Sequence, residues 1–329
     1  MKSPLVDVDD LAPGENHGKA ATALTRYTVE EVTTEAAFDE GLAPLNAQFL
    51  ATGEIEREDV LRTWLRAGFR TSPATPIAAR YHMLLVRDAD GTLAAVRDCF
   101  TATDPTTGRV VVLLSHSLVL PQHRRTGVGA LLRACPVAFA RADAKALGVT
   151  HPKILLFAEM EPIEPHNRTT VTRVLAYARA GFRAIPPTSL PYAQPDFRDL
   201  DALGVGPVPL PFLCLIRQIG EDGRPDAPRA TIEALVRHVQ AIHLHHCAPG
   251  QLATIRDHAL GALARDSRDP IPLVRLPVAP SEVSLLEPLM YSRVFALYPS
   301  TWIGPLPLGD ADLETTLLVA NWNPPKERP

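Results

Sequence analysis

The sequence predicts an α/β fold, an α+β mixed sheet flanked by helices, with a C-terminal extension. Three observations predict it. Apolar runs of strand length alternate with stretches of helical period through the first two thirds of the chain, in the order β-α-α-β-β-β-α-β-α-β. Turn signals at residues 88–91 and 104–108, each ending in Gly, join three successive apolar runs, which makes an antiparallel meander. A helical stretch separates the runs at 109–120 and 153–158, and a right-handed crossover makes those two strands parallel.

Residues 1–24 are polar, with mixed charge, and read as a loose leader. Residues 26–34 carry β-branched side chains and read as a first strand. Phe38, Leu42, Leu45 and Phe49 recur at helical spacing over 35–50, and Val60, Leu61, Trp64 and Leu65 do so over 54–69. Residues 82–87 and 93–101 are the next strands, and 109–120 is a long apolar one. The helix after it spans 127–147, with Gly148 placed for a left-handed cap and Pro136 placed to bend it. After the strand at 153–158 come an acidic loop at 159–165, a helix at 167–180 and a last strand at 207–218. The chain thus divides into a leader (1–24), a main domain (25–220) and an extension (221–329) of unassigned fold. Within the extension, 226–247 and 249–265 read as helices, whereas 285–297 and 313–321 fit strands or helical turns equally.

Hydrophobic content of 46% beside 21% charged residues is the balance of a globular chain that buries a core. The net charge is −4 and the arginines are scattered, so no basic tract proposes a nucleic-acid partner. No run approaches the roughly 18 apolar residues that span a bilayer, so no membrane is expected. Cys99, Cys135, Cys214 and Cys247 form no C-x-x-C pair, and reduced thiols fit a cytoplasmic location.

The stretch between the long strand and its helix carries the chemistry. Gly127 and Gly129 leave the backbone uncovered where the helix begins. Such a turn aims free N–H groups at one spot, and the helix dipole adds partial positive charge. A pyrophosphate suits it, with Arg124 and Arg125 beside it to give charge-assisted hydrogen bonds. Neither three glycines spaced G-x-G-x-x-G nor a Gly-Lys-Ser/Thr ending is present. Arg124, Gly127 and Gly129, preceded by Val119 and Pro121, instead form R-x-x-G-x-G. Here the chain resembles the GNAT family of acyl-CoA-dependent N-acyltransferases, whose motif for the coenzyme A pyrophosphate is Q/R-x-x-G-x-G/A. Tyr177, three residues, then Gly181 and Phe182 match a second family pattern. The resemblance covers residues 25–220.

The resemblance implies transfer of an acetyl group from acetyl-CoA to a primary amine, by direct attack in a ternary complex and without a metal. The main chain of Leu118, Val119 and Leu120 would serve the pantetheine arm. Arg124, Arg125, Thr126, Gly127, Val128, Gly129 and Ala130 would hold the pyrophosphate, and Tyr177 would be the general acid. The base is open. Period-two counting puts Leu113, Ser115 and Ser117 on the substrate face and turns His116 away, unless a bulge shifts the parity. Glu159 is the alternative, with Glu161 and Glu164 further along the loop. The acceptor is a small-molecule or peptide amine, and a homodimer is left open. A sensor that binds acyl-CoA without turnover is the second reading. His238, His243, His245, His246 and Cys247, with His258 nearby, read as a His-rich helix end ahead of a metal site.

Overall fold

A computed structural model of the chain describes residues 5–50, 55–73, 75–164, 166–197, 206–245, 247 and 249–299. Their main feature is an eleven-stranded mixed sheet. Its order is β1 (Thr28–Glu31), β3 (Thr75–Arg87), β4 (Leu93–Asp104), β5 (Arg109–Leu114), β7 (Lys153–Met160), β10 (Leu210–Gln218), β8 (Arg183–Ala184) and β13 (Val274–Arg275). Beside this path, β2 (Arg70–Ser72) pairs with β3, β6 (Ser117–Val119) with β4, and β9 (Tyr192–Gln194) with β10. The strands β11 (Asp226–Ala227) and β12 (Ile271–Pro272) form a separate ribbon. As expected, β3, β4 and β5 are an antiparallel meander, and β5 and β7 run parallel.

Both faces of the sheet are covered, which is why the central strands read as near-continuous apolar runs. The helices α4 (Val128–Ala146) and α5 (Arg168–Arg179) lie on one face, where Leu84, Val112 and Leu114 pack with Leu131 and Val174. On the other lie α2 (Glu35–Phe49), α3 (Glu58–Ala67) and α6 (Arg229–His243), where Leu85, Val111 and Leu113 pack with Phe38, Trp64 and Leu235.

Several sequence expectations are corrected. The leader is not loose. Asn16 caps α1 (His17–Arg26) through the amide of Lys19, and Ala20 and Ala23 are buried with residues of α4. Two small side chains suffice for that close approach, and they leave no apolar stripe to read. The long strand at 109–120 is interrupted after Leu114. Residues assigned to the extension lie against the main sheet: α6 buries Ile232, Val239 and Ile242 in the cluster that holds Phe100, and β13 pairs with β8. α7 (Pro249–Arg265) follows, then 3-10 turns at Pro280–Leu285 and Glu287–Leu289 and a short α8 (Tyr291–Phe295). Residues 313–321 lie outside the described residues.

Candidate functional site

The site begins where two parallel strands part. β5 and β7 pair from Arg109 with Lys153 to Leu114 with Ala158. Beyond that point β6 pairs with β4, while Glu159 and Met160 pair with Cys214 and Leu213 of β10. The two facing edges are left apart, and a cavity of about 300 Å³ opens at the fork.

The register on β4 shows why the fork forms there. Phe100 faces Leu113, and Arg97 faces Ser117, so three steps along β4 match four steps along the neighbouring segment. The extra residue is a bulge at Ser115 and His116, which breaks the period of two. His116 is therefore corrected from the position that period-two counting gave it: it lines the cavity. Its amide donates to Asp98 Oδ1 at 2.7 Å, and its Nδ1 lies 3.0 Å from the same oxygen. Asp98 is fully buried, and Tyr81 donates its hydroxyl to Oδ2 at 3.1 Å. A carboxylate against Nδ1 favours the tautomer with its proton there, leaving Nε2 to accept one.

Tyr177 and Glu159 reach the same cavity. Tyr177 sits edge-on to Phe182, with centroids 5.2 Å apart, and burial pushes its hydroxyl pKa up, which keeps it a proton donor. Burial pushes the Glu159 carboxyl up to about 7, against the lowering effect of the hydroxyl that Tyr192 donates to it. Glu56, which precedes α3, is also pushed up to about 7, by burial first and with the Asp98 charge adding to it. Of the other acidic residues of the loop, Glu161 pairs with Arg173, which also lines the cavity.

The helix mouth lies one strand-length away. Arg125 and Gly127 have φ of 65° and 101°, both in the left-handed region. Among the described residues, the amides of Thr126, Gly127, Val128 and Gly129 have no acceptor. Successive outward amides at a helix start make an anion cradle. Two expected donors are spent, since the Leu120 amide donates to Ala94 O at 3.0 Å and the Ala130 amide to Gly127 O at 2.9 Å. Leu118 and Val119 sit on β6. Arg124 and Arg125 are exposed beside the mouth, with Arg124 Nε on Val119 O at 3.3 Å. A Cβ at position 127 would lie 2.6 Å from Lys19 O, so α1 itself demands the glycine; at 129 the nearest atom would be 3.4 Å away.

The histidines of the extension are dispersed. His238 Nδ1 lies 2.6 Å from Ala234 O within α6, and His245 meets the Trp64 ring edge-on. His243 lines the cavity, where burial lowers its pKa to about 3 and keeps it neutral. His246 lies outside the described residues. Among the described residues no three metal-binding side chains converge, and no helix is long and apolar enough to cross a membrane.

No family model and no curated protein matches the sequence. Solved structures of GNAT acetyltransferases are similar to it. One is a GNAT-family acetyltransferase from Staphylococcus aureus Mu50, at TM-score 0.34 and 13% identity, covering 58% of this chain and 99% of that one. Another is a GCN5-related N-acetyltransferase from Kribbella flavida, at TM-score 0.32 and 16% identity, covering 59% and 99%. A third is the GCN5-related glucosamine N-acetyltransferase region of a fungal multi-domain GH3 β-N-acetylglucosaminidase, at 0.33 and 13%. It covers 48% of this chain, which spans 17% of the length of that protein.

Proposed function

We propose that the protein is an N-acetyltransferase, moving an acetyl group from acetyl-CoA to a primary amine bound with it in one complex. The observation that carries this reading is the row of four acceptorless amides, Thr126 to Gly129, beside a forked sheet with an unpaired strand edge. The amides and the guanidinium groups of Arg124 and Arg125 suit the coenzyme diphosphate. The free edge of β6 at Leu118 and Val119 suits the amide-bearing arm, which carries the thioester into the fork.

The chain's own groups then have distinct tasks. His116, oriented by Asp98, takes the proton that the amine nitrogen sheds as it bonds to the acyl carbon. Tyr177 gives its hydroxyl proton to the sulphur that leaves with the electron pair of the broken carbon–sulphur bond. Transfer of the proton from His116 back to Tyr177 through solvent restores both groups. Glu159 holds a carboxyl that changes charge near pH 7 at the same cavity and can pass protons to and from it.

The test is thiol release from acetyl-CoA over a panel of amines. Tyr177→Phe should cut turnover by about 10²-fold or more, the range of a lost general acid, while coenzyme A binding persists. Wild-type protein that binds coenzyme A yet releases no thiol with any amine, and whose binding is unchanged in Tyr177→Phe, would favour the sensor.

A further inference from the structure

We propose that the acceptor is a small primary amine with an apolar body, and that Glu56 is the counter-ion that holds its ammonium group in the cavity. The ammonium passes one proton to solvent before its nitrogen can attack the acyl carbon; the word acceptor rests on the acyl-transfer reading, and the binding site itself does not. Glu56 is only 5% exposed, and its Oε2 has no hydrogen-bond partner among the described residues. Among those residues no lysine or arginine forms an ion pair with it. A buried carboxylate in this state is costly unless something supplies a proton or a charge.

A second unmet acceptor lines the same cavity. Gln194 Oε1, on β9, is buried without a partner. Both of these unmet acceptors belong to residues of the cavity wall, and an unmet acceptor calls for a group that donates hydrogen bonds; an ammonium group donates three. Phe49, Phe197 and Phe212 line the same cavity, beside Leu113 and Leu114. Phenyl faces stabilise a cation and cover an apolar stem at once. Three arginines also reach the cavity, each with a partner of its own: Arg97 places Nη1 3.3 Å from Leu132 O, Arg133 pairs with Glu15 and Arg173 with Glu161. The volume of about 300 Å³ stands at the lower end for small-molecule pockets. That volume suits a compact amine.

The charge state of the free site fits this role. Burial pushes the Glu56 carboxyl up to about 7, with His116 lowering it and Asp98 raising it, and the Glu56 charge in turn raises Glu159. An ammonium brought to Glu56 reverses that balance, so binding at pH 7 expels a proton.

The experiment is calorimetric titration of the full chain, without coenzyme, using 2-phenylethylamine, 2-phenylethanol and a free-amine tetrapeptide. The amine should bind at least ten-fold more tightly than the alcohol and the tetrapeptide. Titrations in buffers of different ionisation enthalpy at pH 7 should show net proton release. Glu56→Gln should weaken amine binding ten-fold or more while coenzyme A binding, measured separately, is unchanged. Equal binding of amine and alcohol, a preference for the tetrapeptide, proton uptake, or full affinity in Glu56→Gln would each overturn the proposal. The proton measurement needs no variant, so a misfolded Glu56→Gln would not shield it. Amine binding with no coenzyme A binding would instead remove acyl transfer and leave the amine site standing.

Discussion

Ending the chain at Gln218 should destroy the fold, although the sequence places a boundary there. The cut removes α6, whose Ile232, Leu235, Val236, Val239 and Ile242 are each no more than 4% exposed. Full burial of such a side chain is worth about 1.5–3 kcal/mol, so the five together represent roughly 8–15 kcal/mol. That figure is an upper estimate, because a denatured chain already hides some apolar surface. It still matches the whole net stability of an ordinary domain, about 5–15 kcal/mol. The loss is compounded by what α6 covers, since Phe100, Val111 and Leu113 share its cluster. Residues 1–218 should therefore be insoluble or lack a cooperative melting transition, followed by circular dichroism and size-exclusion chromatography. Leu235→Ala in the full chain should cost about 2–5 kcal/mol in denaturant titration, as a cavity in a packed core does. A soluble monomer of 1–218 that melts cooperatively near the Tm of the full chain would refute the reasoning, and α6 would then be a cover and not a wall of the core.

Three further outcomes follow from single groups. Asp98→Asn keeps the shape beside His116 but removes the charge that orients it, so turnover should fall by about 10²–10⁴-fold with coenzyme A affinity unchanged; a fall of less than about three-fold would leave His116 without its assigned task. Gly127→Ala puts a Cβ 2.6 Å from Lys19 O at a φ of 101°, so it should destabilise by about 1–3 kcal/mol and weaken coenzyme A binding together, read by thermal melting with and without the ligand. His82 lies between Glu31 at 2.7 Å and Asp143 at 2.8 Å; burial lowers its pKa, but the two carboxylates outweigh this and the net shift is upward. Its contribution is thus complete below the unfolded value of about 6.5 and is lost as pH rises through the folded one, so Tm should decline with pH above that value in the wild type and less steeply in His82→Gln.

The sequence made the frame legible because burial on both faces leaves a strong signal. Phe38, Leu42 and Leu45 announced α2 almost to the residue, and the runs at 109 and 153 announced the parallel pair. At the cavity the sequence pointed to Tyr177 and Glu159, which line it, and at the helix mouth it pointed to a glycine. Gly127 marks the helix mouth because no other residue fits under Lys19 O. His116 was set on the wrong face because one inserted residue reverses the parity of a strand, and no side chain at Ser115 or His116 advertises a bulge. Glu56 and Gln194 escaped for another reason. Glu56 stands in an acidic run before α3 that looks like an ordinary helix start, and Gln194 sits in a strand of three residues. Their burial is set by chain segments far away in sequence.

One oddity of the sequence and one of the structure explain each other. Pro136 interrupts the pattern of α4, and the helix runs from Val128 to Ala146 across it. A proline has no N–H, so the carbonyl four residues back, Leu132 O, loses its helical donor. Arg97, buried on β4 and 6% exposed, places Nη1 3.3 Å from that oxygen. Burial pulls the arginine's pKa down, so a guanidinium here needs acceptors, and the proline frees one inside the core. Nε of the same group remains without a partner and belongs to a side chain that lines the cavity near Tyr177. A helix of uninterrupted amides would have left Leu132 O already bonded, with one lone pair fewer for the arginine. The proline is therefore part of what holds the Arg97 guanidinium at the cavity in the fork of the sheet.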